Sequence, residues 1–258
     1  MKREHKVPRV EIIGLSKIPI IKEGDDLSNI IDEAAKKQGT PIVDGDVIVI
    51  AQKIVSKAEG RVVALKDVTP SEFALKVSEK TRKPAQLIEL ILRESRSILK
   101  MVDGHIITET DQGWIFANSG IDRSNVSGGD YVSLLPKDAD ISALRIRRRI
   151  ESLTGKSIAI IISDTSGRPF RDGHTDLAIG SSGILPLMDR RGEKDLFGYT
   201  MKVKKTAIID VLSSAAELVI GQVSEKIPVA IIRGLGYKRS ENAKATMLLR
   251  PREKELFL

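Results

Sequence analysis

The residues Ser157-Ile158-Ala159-Ile160-Ile161-Ile162-Ser163 constrain the fold of this chain more than any others. Four isoleucines around one alanine make a run too short for an ordinary helix and rich in β-branching, so it reads as a strand buried on both faces. The chain then turns polar. In Asp164-Thr165-Ser166-Gly167-Arg168-Pro169-Phe170-Arg171 a carboxylate, a hydroxyl, a flexible glycine and two guanidinium groups fall within eight residues. Asp and Thr oxygens suit a hard cation such as Mg2+ or Mn2+, and Arg forks suit phosphate. One metal-bound phosphate would engage them all. Asp, Ser and Gly are equally the residues of a plain turn, so the rest of the chain has to decide.

Length and composition narrow the choice. The 258 residues can bury a large core as one domain or two small lobes, and no repeat or low-complexity linker divides them. There is no cysteine, and His5, His105 and His174 are the only histidines, so a metal is expected to be held by oxygen rather than in a zinc site. Residues 1–10 are charged and lack the apolar core of a signal peptide, and no apolar run is long enough to span a bilayer. The expectation is a cytoplasmic protein with no membrane partner. The formal charge of +7 would suit nucleic acid or an anionic small ligand, but aromatics are 3% of residues, too few for the platforms on which single strands stack. A phosphate-bearing substrate fits better, and nucleic acid is not expected as a partner.

Along the chain, residues 10–14 read as a first strand, and Ile18-Pro19-Ile20-Ile21 as an apolar stretch bent by proline. Asp26 is placed to cap a helix over 27–37. Asp44-Gly45-Asp46 turns into a strand over 47–52. Lys57 is expected where a strand gives way to a loop, a position from which an ammonium reaches a phosphate. Residues 67–99 look like helical scaffold, with Leu87, Leu90, Ile91 and Ile98 at helical spacing after Pro84. Residues 106–110 and 114–117 read as a hairpin. In Asn118-Ser119-Gly120-Ile121-Asp122-Arg123-Ser124-Asn125-Val126 a carboxylate and an amide again follow a strand through a Gly-containing bend, a second hard-ligand candidate.

A helix over 143–153 is expected to carry Arg145, Arg147, Arg148 and Arg149 on its outer face, a solvated surface rather than a nucleic-acid stripe. His174 beside Asp176 resembles an acid/base pair, although a structural or orienting role suits His174 better. A helix over 206–220 stops at Gly221, Gln222 follows, and residues 228–232 read as a last buried strand.

In this order the pieces resemble the coenzyme F-420-0:L-glutamate ligase family. The resemblance is carried by Pro19-Ile20-Ile21-Lys22-Glu23-Gly24-Asp25, Val55-Ser56-Lys57-Ala58-Glu59-Gly60-Arg61, the segment from Asn118 to Val126, Ser163-Asp164-Thr165-Ser166-Gly167-Arg168-Pro169 and Ala178-Ile179-Gly180. It extends from the first strand to Arg233-Gly234-Leu235. It implies a mixed α/β or α+β chain: one ligase domain over 1–258 made of two interleaved lobes, with mixed and antiparallel sheets. The fold would be the family's own, with neither a Walker nor a Rossmann motif, and the chain ends before the reductase-like domain of bifunctional relatives could begin.

The resemblance also implies an activity and a site. The activity would be GTP-dependent addition of L-glutamate to a deazaflavin coenzyme precursor through an acyl phosphate, releasing GDP and phosphate, with successive gamma-linked additions. Two divalent cations, Mg2+ or Mn2+, are implied, with K+ as a further candidate, and so is a homodimer. Asp122 and Asp164 look like ligands of one metal, Thr165 and Gln222 like the pair for the second, and Lys57 joins the two aspartates as a catalytic group. Ile18, Pro19, Ile20, Ile21, Gln52, Lys53, Lys57, Asn125 and the loop Gly221, Gln222, Val223, Ser224 and Glu225 are similar to nucleotide-contacting positions. Some members carry Glu where this chain has Gln222, and an amide is the weaker ligand, so the second metal is expected to bind less tightly or through water. The alternatives are a ligase of the same fold acting on another carboxylate, and a basic RNA-binding protein using the 145–149 helix.

Overall fold

A computed structural model describes residues 7–255 apart from 103, 127 and 129; residues 1–6, which hold His5 and much of the charged start, lie outside the described residues. Taken in chain order, β1 (Glu11–Gly14) leads to Asp26, whose carboxylate accepts the amides of Ser28 and Asn29 and so starts α1 (Leu27–Gln38). Gly39, at φ 81°, ends that helix in the left-handed conformation. β2 (Val47–Ala51) runs directly into α2 (Gln52–Ala58), and β3 (Val62–Ala64) follows. Next come α3 (Glu72–Thr81), α4 (Ala85–Arg93), then β4 (Ser97–Val102), β5 (His105–Glu109), β6 (Ile115–Ala117) and β7 (Tyr131–Ser133). α5 (Ala139–Thr154) is capped by Asp138. It precedes β8 (Ala159–Arg168) and β9 (Arg171–Ser182), the small ribbon β10 (Leu187–Asp189) and β11 (Lys205–Ala207), α6 (Ile208–Ile220) and β12 (Val229–Arg233).

The central sheet has the order β1-β12-β2-β8-β9, with β2 and β8 parallel and the other pairings antiparallel, so the chain is α+β with mixed and antiparallel sheets. The isoleucine run is its innermost part. Residues 158–162 are fully buried, and the two-residue period of a strand deals them to opposite layers. Ile160 and Ile162 join Ile48, Ile50 and residues of α1 and α5, while Ile161 joins Val47, Val49 and the α6 residues Ile209, Leu212 and Ala216. Each such isoleucine contributes about 2 kcal/mol by burial. A third, separate cluster gathers Leu65, Ile88, Ile91, Ile106 and Val132 around α3, α4, β5 and β7.

Four sequence expectations need correction. Lys57 does not stand where a strand meets a loop: the chain enters α2 straight after Ala51, so Gln52 opens a helix and Lys57 lies one turn beyond Lys53. Residues 164–168 are not a loop, because β8 continues through them, paired residue by residue with β9 as far as Arg168 opposite Arg171. The scaffold over 67–99 is not helical throughout, since Ile98 lies in β4, paired with Thr108. Arg147 is not on an outer face. It is 2% exposed and donates to Ser182, Glu151 and Glu241, since four residues after Ala143 and three before Ile150 it shares their inward side.

Candidate functional site

Three segments meet at the ends of β2, β6 and β8. The first is the turn after β6. Asp122 pairs backbone to backbone with Ser133, at 3.0 and 2.8 Å, which fixes the loop that follows. Its carboxylate accepts the Ser124 amide at 2.7 Å and the Ser124 hydroxyl at 3.0 Å, and Lys53 Nζ lies 2.8 Å from Asp122 Oδ2. Burial alone would raise this carboxyl, but the bonds from Lys53 and Ser124 outweigh it and hold Asp122 below its ordinary value.

The second segment is the outer part of the β8–β9 hairpin. Ser163 and Thr165 project on one face of β8, and both hydroxyls donate to Asp176, which stands opposite Thr165 on β9: Ser163 Oγ to Oδ2 at 3.0 Å, Thr165 Oγ1 to Oδ1 at 2.9 Å. Asp164 alternates with them. Burial first, then the charges of Asp176 and Asp122, push its carboxyl up to about 7 against the pull of the Thr165 amide and Lys53. Asp176 is likewise raised, chiefly by burial. Asp164 thus feels both Asp122 and Asp176, and Lys53 is the cation felt by all three carboxylates.

The third segment is the loop after α6. Gly221 leaves the helix at φ 58°, a conformation that favours glycine. Asn125 Nδ2 donates to the carbonyls of Gln222 and Val223, both at 3.1 Å, and Lys57 Nζ donates to the Asn125 carbonyl at 2.7 Å. These bonds tie α2, the 122–125 loop and the 221–225 loop together around a cleft of about 260 Å³. Ten of the residues expected at a nucleotide line it: Ile18, Pro19, Ile20, Lys53, Lys57, Asn125, Gly221, Gln222, Val223 and Glu225.

Three others are elsewhere. Ile21 is buried in the core, Gln52 is 2% exposed with its carbonyl oxygen bonded to Ser56, and Ser224 is exposed outside the lining. Arg168, Arg171 and His174 are exposed toward the hairpin end. A larger cavity of about 840 Å³ adjoins the first turns of α1 and α5. None of the residues expected at the nucleotide or the metals lines it, and its arginines are already paired, Arg145 with Glu59, Arg149 with Asp26 and Arg61 with Glu94.

The donor set decides what the carboxylates could hold. Among the described residues no three His, Cys, Asp or Glu side chains gather as a metal-holding group. What the hairpin, the 122 turn and the loop after α6 offer is hard oxygen in small number: the carboxylates of Asp122, Asp164 and Asp176, the Thr165 hydroxyl and the Gln222 amide. That suits a Mg2+-like ion completed by phosphate and water, and no softer metal. The carboxyl of Asp164, pushed up first by burial and then by the charges of Asp176 and Asp122, would be stabilised in its ionised form by a cation beside it.

Asp176 is the residue whose part sequence reasoning missed, having met it only as a neighbour of His174. The available signal was the alternation of two hydroxyls, Ser163 and Thr165, on a strand that continues into a hairpin.

The family described as F420-0:Gamma-glutamyl ligase matches residues 16–234. The chain is 44% identical over 250 residues to a protein of Methanothermobacter thermautotrophicus named coenzyme F420:L-glutamate ligase, covering 96% of this chain and 98% of that one. It is 46% identical over 249 residues to the protein of the same name from Methanocaldococcus jannaschii and 43% over 252 residues to that from Methanopyrus kandleri, covering 96% of this chain and 97% of the relative in both cases.

Proposed function

The chain belongs to the F420-0:Gamma-glutamyl ligase family, and on that footing we propose that it joins L-glutamate to the F420-0 precursor at the expense of GTP, through an acyl phosphate. The observation that carries this reading is Lys53, which lines the cleft between α2 and the 221–225 loop and at the same time contacts Asp122 at 2.8 Å. One side chain thereby joins a place for a polyphosphate to a place for hard cations.

A carboxylate is a poor electrophile, and amide formation in water is uphill. In the proposed reaction an oxygen of the precursor's terminal carboxylate attacks the γ-phosphorus of GTP, the bond to the bridging oxygen breaks, and GDP leaves. The amine of glutamate, having lost its proton, then attacks the acyl carbon, and the C–O bond to phosphate breaks. Repetition on the new terminal carboxylate would give successive gamma-linked additions.

The chain's own residues bring three anions together. Lys57 and Lys53, one helical turn apart, face the cleft with positive charge, and burial followed by the nearness of Lys53 lowers the Lys57 ammonium's pKa, so a polyphosphate relieves an existing repulsion. Asn125 fixes the 221–225 loop, and the apolar Ile18, Pro19 and Ile20 offer a wall to a flat base. Asp122, Asp164, Thr165 and Gln222 are the residues that would hold divalent cations, which when bound supply charge neutralisation between phosphate and attacking carboxylate. A homodimer belongs to the same reading, supported by Leu196 and Phe197, which stand 98% and 96% exposed between β10 and β11; sedimentation velocity tests it.

The decisive experiment is mass spectrometry of the deazaflavin product after incubation with GTP, glutamate and Mg2+ or Mn2+. A mass increase of one or more glutamyl residues, with matching GDP release, is expected. An unchanged precursor with GTP, together with conversion by ATP, would overturn the nucleotide assignment; no conversion with either would overturn the reaction.

A further inference from the structure

Asp176 is fully buried, yet five polar groups converge on it, two from β8 and three from α6 and the residues just past its end. From β8 come the hydroxyls of Ser163, at 3.0 Å to Oδ2, and Thr165, at 2.9 Å to Oδ1. From the end of α6 comes Gln222 Nε2, at 3.5 Å from Oδ1, the outer limit of a hydrogen bond. Its backbone is held as well, since its amide donates to Glu217 at 3.1 Å and its carbonyl accepts from Ser214 at 2.9 Å. The strand residue is therefore clamped by α6, the helix that delivers Gln222.

We infer that Asp176 is a positioning residue which determines the lone pairs that Thr165 and Gln222 present to a divalent cation; this rests on the ligase reading above, in which those two residues form a metal pair. Thr165 Oγ1 and Gln222 Nε2 both stand as donors to the same atom, Asp176 Oδ1, and a hydroxyl has one hydrogen to give. The single hydroxyl hydrogen of Thr165 is thus committed to Asp176, and the oxygen's lone pairs remain for a cation. By the same logic the amide edge of Gln222 facing Asp176 is the N–H edge, which turns Oε1 away from the carboxylate as an acceptor or ligand. An amide at 222 also avoids the repulsion that a second carboxylate would meet beside Asp176 before any cation arrives. The neutral residue is matched to its neighbour.

Asp176→Asn keeps the shape but can offer N–H to Thr165, competing for its lone pairs. The experiment is Mn2+ titration followed by electron paramagnetic resonance of the free ion, without nucleotide and with saturating GDP, on wild type, Asp176→Asn, Thr165→Val and the double variant, with melting temperatures alongside. Asp176→Asn should melt close to wild type and weaken one class of Mn2+ site tenfold or more. The double variant should lose no more than Thr165→Val alone, because the aspartate acts through the hydroxyl.

Unchanged Mn2+ affinity in Asp176→Asn with only a lowered melting temperature would overturn the inference and leave the ligase reading standing, as would additive losses. A wild type that binds no Mn2+ under either condition would overturn the two-cation reading itself. Should Asp176→Asn fail to fold, Gln222→Glu decides: it should melt lower than wild type without metal and gain more from Mn2+, and equal melting in both conditions would overturn the proposal.

Discussion

Lys53 Nζ sits 2.8 Å from Asp122 Oδ2 and 2.8 Å from Ser124 Oγ, so a single ammonium closes the loop after β6 onto the first turn of α2. Replacing it by methionine keeps the stem and removes the charge, leaving a carboxylate that, among the described residues, the Ser124 donors serve. Because Asp122 is 35% exposed, the cost should be modest, about 1–2 kcal/mol at neutral pH. The sign with pH follows from the lowered carboxyl. Its contribution to stability is present above the unfolded carboxyl range near 3.8 and disappears as pH falls through the lower folded value. Urea denaturation of Lys53→Met should therefore show a deficit at pH 7 that shrinks toward pH 3, and a deficit independent of pH would argue against the charge pair.

Asp164 has the opposite sign. With a folded value near 7 and an ordinary value of 3.8, the native state keeps a proton that the unfolded chain has released, so metal-free stability should fall as pH rises from about 4 to 7 and then level off. The full swing is on the order of a few kcal/mol. Asp164→Asn should flatten that limb, while saturating Mg2+ or Mn2+ should flatten it in the wild type by favouring the ionised form. Chemical denaturation between pH 4.5 and 8, with and without chelator, measures both. The same substitution should abolish glutamate-dependent GDP release.

Lys57 separates binding from folding. Among the described residues its ammonium makes one bond, 2.7 Å to the Asn125 carbonyl, and it lines the cleft. Lys57→Ala should weaken GTP binding tenfold or more by isothermal titration, and shift the melting temperature by no more than about 4 °C, the equivalent of about one hydrogen bond in a chain of this size. A large melting shift with unchanged GTP affinity would make the lysine structural.

The legible parts of this chain were those whose cause is local. The run 158–162 is apolar on both faces, and the structure buries it between two layers as that pattern requires. Caps such as Asp26, and Gly221 after α6, are written in single residues. The misread parts depend on partners far along the chain. Nothing in Asp164-Thr165-Ser166-Gly167 itself favours a strand; β9 imposes one by pairing. Asp176 joins the site only because that pairing sets it opposite Thr165. Arg147 was misread for another reason. Its spacing from Ala143 and Ile150 pointed inward, and its charge argued outward until Glu151 and Glu241 supplied the partners that permit burial.

Gly180 links the architecture to the site. A Cβ built there would stand 2.3 Å from the Ala139 carbonyl oxygen and 2.4 Å from its carbon. These are backbone atoms of the first turn of α5, which cannot rotate aside. Gly180→Ala must lift α5 from β9, and Ser181 next to it donates its amide to Asp140 of that same turn at 2.8 Å, so the bond that seats the helix is strained too. Overpacking against rigid backbone should cost about 3 kcal/mol, lowering the melting temperature by roughly 6–12 °C. Gly236→Ala, where no atom lies within 4 Å and φ falls outside the left-handed region, should stay near wild type. Hydrogen exchange provides the finer check: in Gly180→Ala, protection should fall first in β9 and the start of α5 while β1 and β12 at the far edge keep theirs. Equal melting of the two variants would show that α5 is not seated on this glycine.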